Sequence, residues 1–252
     1  MSYLKAAQFY DLFTLGKEQE QAFYRQIAQD VGSPALELGV GTGIFAFLLA
    51  KDGIEVAGID ASPYMLKEAR NKLQRAPPTI ANRLTFLVGD MADFQLNRIF
   101  RLIYIPSQSF QYLDTRKKQV NCLKCIHNHL HSQGQFVFDI WVGQIDASGI
   151  WRRLETVSLP KGYSITRSIS TRIFDSERII DTAIRFDIHN NTGQLQKTYW
   201  DRSRLAILTM EEIQQLLDEA GFHVESLYSS FSRDPWIPNA NQAIFVSSKV
   251  SM

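Results

Sequence analysis

The chain has 252 residues, enough for one large domain or for a domain carrying an insertion. Its 45% apolar and 21% charged composition excludes a disordered protein, and 27 Lys and Arg against 26 Asp and Glu give no global field for nucleic acid or an anionic membrane. The opening MSYLKAAQFYDLF has no signal-type apolar core, and IFAFLLA (44–50) is too short to span a bilayer, so the expectation is a soluble, cytoplasmic protein. Cys122 and Cys125 alone cannot build a disulfide framework.

In chain order, ALEL (35–38) is strand-like, and IFAFLLAKDG (44–53) is a buried helix stopped by Gly53. A second strand, IEVAGID (54–60), precedes Ser62 and Pro63, an N-cap and a first helical position for a stripe of Met65, Leu66, Ala69 and Leu73. LTFLVGD (84–90), RLIYIPS (101–107) and GQFVFDIW (134–141) are three more strands, the last two separated by a helix from about Asp114 to His131. Strands alternating with helices imply parallel β-α-β units. From 163 to 205 the period becomes two, in YSITRSISTRIF, RIIDTAIRFDIH and LQKTYWDRSRL, joined by hairpin-like DSE and NNTGQ. Thr209 with Glu212 forms a capping box for a helix ending at Gly221, and two strands, FHVESLYSSF and NQAIFVSS, close the chain. The expected fold is α/β: a doubly wound, Rossmann-like, mostly parallel seven-stranded sheet over 1–149 and 206–252, with an antiparallel β lid inserted at 150–205.

The segment LELGVGTG (36–43) places Glu37 two residues before Gly39, Gly41 and Gly43. A dinucleotide turn needs a small residue where Ile44 stands, so the spacing is G-x-G-x-G and not G-x-G-x-x-G. This resembles motif I of the class I S-adenosylmethionine-dependent methyltransferases, of the small-molecule type. A bare glycine turn at a helix start already suits a carboxylate, which the methionine end of that cofactor carries.

Further motifs extend the resemblance. It implies that Asp60, closing the second strand, takes the ribose hydroxyls, and that Asp90 and Met91 of GDMADF (89–94) meet the adenine, with Ala61 and Met65 beside the adenosine. IPSQSFQYL (105–113), including Ser107, would face the methionine end, and FYDLF (9–13) would lay Tyr10 near the sulfonium. RLAILTMEEIQQLLDEAGF (204–222) is similar to the family's closing segment. The resemblance departs at Arg101, where the family usually has Asp. Taken alone, Asp60 reads equally as a helix-capping acid and Asp90 as a strand-end turn acid.

The implied reaction moves a methyl group to an N or O atom of a small acceptor, with Tyr10 and Asp139 as candidate catalytic residues; a packed aromatic and a capping acid are equal alternatives. Trp141, Trp200 and Arg202 are the candidate acceptor-binding residues. Between 151 and 205 ten Lys or Arg face six acids, an excess that points to an acceptor with a carboxylate or phosphate, although solvated edge charges explain it too. His127, His129 and His131 with Cys125 do not share one helix face; Cys122, Cys125 and His129 could, but a helix core face accounts for them, so no metal is expected. A Rossmann oxidoreductase and a non-catalytic S-adenosylmethionine-binding module are the rival readings. Monomer and homodimer stay open.

Overall fold

The computed structural model describes residues 7–13 and 17–250. The first six and last two residues of the expected 1–149 and 206–252 segments lie outside them. After a 3-10 helix at Ala7–Phe13 come α1 (Glu18–Val31), β1 (Ala35–Leu38), α2 (Ile44–Lys51), β2 (Val56–Asp60), α3 (Pro63–Leu73) and α4 (Pro78–Ala81). Then follow β3 (Leu84–Val88), β4 (Phe100–Ile105), α5 (Arg116–His129) and β5 (Leu130–Trp141). Four strands follow one another: β6 (Arg152–Ser158), β7 (Ser164–Phe174), β8 (Ile179–His189) and β9 (Leu195–Ala206). The chain ends with α6 (Met210–Glu219), β10 (Phe222–Tyr228) and β11 (Gln242–Lys249).

Seven strands form one sheet in the order β10-β11-β5-β4-β1-β2-β3. All neighbours are parallel except β11, which runs antiparallel to both β5 and β10. Successive residues of a strand face opposite sides, and both sides are covered here. Ile103, Phe136 and Phe138 pack with Leu123 of α5 and Leu217 of α6, while Leu102, Tyr104 and Val137 pack with Tyr24 of α1 and Leu49 of α2. The order reverses between β1 and β4, so the crevice outside their carboxyl ends is where this architecture binds ligands.

The remaining four strands form an antiparallel sheet, β6-β7-β8-β9. Its edge strand β6 and the helix α1 were not among the elements expected from sequence. The inner face of this sheet carries a small core of Phe13, Ile165 and Phe186, with Phe9, Ile184 and Tyr199 packed on it. The 3-10 helix Ala7–Phe13 is thereby held against it, with Phe9 and Tyr199 edge to face at 5.2 Å. Gln111, fully buried, ties the two sheets together: its Nε2 donates to the carbonyls of Trp141 (3.1 Å) and Ala206 (3.0 Å), and its Oε1 accepts the N–H of Trp141 (2.8 Å).

Candidate active site

The glycine turn links β1 to α2. Gly39 and Gly41 have φ of +74° and +56°, the left-handed region that disfavours other residues. A Cβ on Gly39 would approach the Ser109 side chain to 3.0 Å. The N–H of Gly41 donates to Asp60 Oδ2 at 2.7 Å, and the other Asp60 oxygen accepts the Ser62 N–H at 2.7 Å. Asp60 is thus clamped between the turn and the start of α3, and its burial raises its pKa. Asp90 Oδ1 accepts the Ala92 N–H at 2.8 Å, which turns the chain after β3.

These strand ends open onto a cavity of about 350 Å³. Its floor holds Tyr10, Gly39, Gly41, Asp60, Ala61, Met65, Asp90, Met91 and Ser107. Its roof is the inner face of the antiparallel sheet, represented by Arg167, Thr182, Ile184, Phe186, Asp201 and Ser203. A smaller recess of about 30 Å³ adjoins it and shares Tyr10, Gly39, Gly41 and Ser107 while adding Lys17 and Glu37. Glu37 is buried, accepts the Tyr104 hydroxyl at 2.8 Å, and its pKa is pushed up to about 8 by burial. Burial also raises the Tyr10 pKa, reinforced by Tyr112, Glu20, Asp11 and Asp60, so its hydroxyl keeps its proton. Gly43 lies just beyond the cavity, as the left-handed N-cap of α2.

Besides Gly43, four expected site residues lie outside the cavity and its recess. Asp139 is fully buried, and its carboxylate accepts the Tyr24 hydroxyl (2.7 Å), the Gln108 N–H (3.0 Å) and Gln108 Nε2 (2.7 Å). Burial, with Glu20 nearby, pushes its pKa up to about 6, but the group anchors the loop after β4 instead of lining the cavity. Trp141 turns its Nε1 to the Gly143 carbonyl (3.1 Å) and also misses the cavity. Trp200 and Arg202 point to the outer face of the antiparallel sheet, since their neighbours Asp201 and Ser203 point inward. Trp200 meets Trp151 edge to face there, and Arg202 pairs with Asp181. Arg185 and Arg204 of the basic excess are turned outward in the same way, paired with Asp187 and Glu177, while Arg178, in the turn before β8, pairs with Glu212 of α6. Replacing Trp200 or Arg202 with Ala is therefore expected to leave cofactor affinity and turnover within about 2-fold of the parent, as for surface changes away from a site. A 10-fold rise in acceptor KM would place the outer face in the reaction path.

His129 is committed within the fold: its Nε2 accepts the Leu96 N–H (2.8 Å) and its Nδ1 bonds to the Cys125 carbonyl (2.7 Å).

Sequence reasoning passed over several residues that build the site. Asp11 fastens the Tyr10 segment to the glycine turn and α3, accepting from Thr42 Oγ1 and from Lys72 Nζ (2.7 Å). Lys17, at the start of α1, donates to Ser107 Oγ (2.8 Å) and pairs with Glu20 (3.2 Å), which places its ammonium on the small recess. Tyr112 and Ser203 share a hydroxyl–hydroxyl bond of 3.1 Å across the two sheets. The period-two pattern contained Asp201 and Ser203, but it does not say which face turns inward.

Residues 35–134 match the family model described as a methyltransferase domain, a span that holds β1 to β4 and every turn of the cavity floor except the Tyr10 segment. Over that span the chain is similar to methyltransferase domains. The chain is 30% identical over 142 residues to the dTDP-3-amino-3,4,6-trideoxy-alpha-D-glucopyranose N,N-dimethyltransferase of Streptomyces venezuelae, covering 54% of this chain and 56% of that one. It spans about half the length of the first curated relatives it matches, 41% of one and 56% of another. Among solved structures, the CcbJ methyltransferase of Streptomyces caelestis superposes with a TM-score of 0.80 at 19% identity, over 98% of this chain and 96% of that one. CalS10, an amino pentose methyltransferase of Micromonospora echinaspora, gives 0.73 at 20% identity, over 96% and 95%. These structural likenesses extend the shared fold through the antiparallel sheet. Among the described residues no helix is long and apolar enough to cross a membrane.

Proposed function

We propose that this chain transfers the methyl group of S-adenosylmethionine to a nitrogen or oxygen atom of a small-molecule acceptor enclosed between its two sheets. One observation carries this reading: a single cavity has the cofactor-type strand ends as its floor and the inner face of the antiparallel sheet as its roof. The residues suit the cofactor. Gly41 has no side chain where the turn meets the cavity, Asp60 presents a carboxylate suited to ribose hydroxyls, and Asp90 and Met91 stand at the next strand end. In the recess, Lys17 would meet the carboxylate of the methionine end, beside Glu37. In this reading residues 150–205 act as the lid over the acceptor.

When bound, S-adenosylmethionine would supply a methyl group already activated for displacement on its sulfonium. The protein's part is to align the acceptor and keep water out. Tyr10 does the second, its half-buried ring standing at the junction of cavity and recess. Asp139 is withdrawn from this chemistry by its three hydrogen bonds. The aminosugar N,N-dimethyltransferase among the relatives supports nitrogen over oxygen as the receiving atom.

The test is transfer of labelled methyl from S-adenosylmethionine to a panel of amines, alcohols and carboxylic acids, including dTDP-3-amino-3,4,6-trideoxy-alpha-D-glucopyranose. Acceptor-dependent release of S-adenosylhomocysteine is the expected result. Binding of S-adenosylhomocysteine with no transfer to any acceptor would favour a binding module instead.

A further inference from the structure

The strand register fixes what the roof of the cavity presents. Tyr199 pairs with Phe186 and Phe186 with Arg167; Asp201 pairs with Ile184 and Ile184 with Ile169; Ser203 pairs with Thr182 and Thr182 with Thr171. These three rows share the inner face, because side chains alternate along each strand. One row is mostly aromatic, one is hydroxylated, and between them stands a single carboxylate flanked by isoleucines.

Asp201 is only 8% exposed, yet it lines the cavity. Its Oδ1 accepts the Arg202 N–H at 2.8 Å. Among the described residues no lysine or arginine forms an ion pair with it. Arg167, on the same face, is engaged by Glu155 at 2.5 Å and lies 5.1 Å over the Phe13 ring. Arg202 and Arg185 leave by the outer face, to Asp181 and Asp187. Lys118, at the cavity rim, is held by Asp114 at 2.7 Å. From the floor the cavity receives Tyr10, Asp60 and Asp90, and from the link between the sheets Tyr112. A buried carboxylate without a counter-cation is costly, and among the described residues none pairs with it, which leaves room for a cationic ligand.

We propose that Asp201 is the acceptor-binding base of this site: it receives the acceptor as an ammonium ion and takes its proton, so that the acceptor is an amine. The proposal rests on the methyl-transfer reading above. One N–H bond of the ammonium breaks as a proton moves to a carboxylate oxygen of Asp201, and the electron pair stays on nitrogen, free to receive the methyl group. The proton then leaves to solvent as the product departs. Burial pushes the pKa of Asp201 up to about 6, which leaves it ionised at neutral pH yet far closer to an amine than an exposed carboxylate. The hydroxyls of Ser203, Thr182 and Tyr112 lie beside it, so the amine this surface fits carries hydroxyl groups of its own.

Asp201→Asn and Asp201→Glu are compared with the parent for S-adenosylhomocysteine affinity by calorimetry, and for kcat/KM against pH on the amine and alcohol panel. With an amine, the parent rises through about pH 6 and falls where the ammonium itself loses its proton, because the productive pair is carboxylate plus ammonium. Asp201→Asn can use only the neutral amine. Its kcat/KM therefore falls about 100-fold at pH 7 and climbs toward the parent's value above the ammonium pKa. Asp201→Glu restores part of the loss, and both variants bind S-adenosylhomocysteine like the parent. A merely structural Asp201 would lower activity without changing the shape of the profile, and that result overturns the proposal. So does transfer to alcohols or acids only, or to no amine, by a protein that binds S-adenosylhomocysteine. Failure of the parent to bind S-adenosylhomocysteine would instead overturn the methyl-transfer reading itself.

Discussion

Replacing Gly41 with Val is expected to weaken S-adenosylhomocysteine binding by at least about 100-fold, or about 2.7 kcal/mol. Two effects combine. Gly41 sits at φ +56°, where a β-branched residue is strained, and its N–H holds Asp60 in place. The new side chain would also enter the cavity floor between Gly39 and Met65, where the ligand has to approach the backbone. Gly41→Ala separates the two. Its Cβ would meet Met65 Cε at 3.4 Å, an ordinary contact, so the fold loses only about 1 kcal/mol for the left-handed backbone. Calorimetry and thermal melting of both variants check this. A folded Gly41→Val protein with the parent's affinity would move the cofactor away from the turn.

The second expected result concerns Glu37. Its pKa lies near 8 in the folded chain against an ordinary 4.5, with burial as the main cause and the Tyr104 hydrogen bond opposing it. A raised carboxyl pKa means that the folded state holds a proton which the unfolded chain has already released. The stability this provides is complete below pH 4.5 and is lost as pH rises to about 8, after which both states are ionised. Glu37→Gln stays uncharged and keeps an oxygen for the Tyr104 hydroxyl. Between pH 5 and 8 the parent should therefore lose on the order of 3–4 kcal/mol more stability than the variant. Denaturant melts of the cofactor-free proteins at the two pH values measure it. Parallel pH dependences would show that Glu37 ionises freely in the recess.

The particular residues show why some of this was legible in the sequence and some was not. Ser62 and Thr209 cap their helices through bonds to Met65 and Glu212, three residues on, so short windows contain the whole signal. The glycine turn is equally local. The helix α1 lacks such punctuation, because its N-cap, Lys17, makes no side-chain cap. That omission had a consequence: Tyr24 of α1 holds Asp139, and without α1 the strand-end acid looked free to face the ligand. The edge strand β6 hides for another reason, since most of its residues are exposed and polar. The faces of the antiparallel sheet illustrate a different limit. Alternation separates Trp200 and Arg202 from Asp201 and Ser203, but only packing against Phe9 and Phe13 decides which set turns inward. Choosing Trp200 and Arg202 therefore selected the outer face, where Arg202 pairs with Asp181, and passed over Asp201, which lines the cavity.

A crystal structure with S-adenosylhomocysteine bound tests the central claim most directly. The account predicts the ligand in the 350 Å³ cavity, with ribose hydroxyls on Asp60, adenine beside Asp90 and Met91, and the amino-acid end in the recess of Lys17 and Glu37. Its sulfur should face an open space walled by Tyr10 and roofed by Asp201. Ligand density at any other place, or a sulfur turned away from the antiparallel sheet, would contradict it.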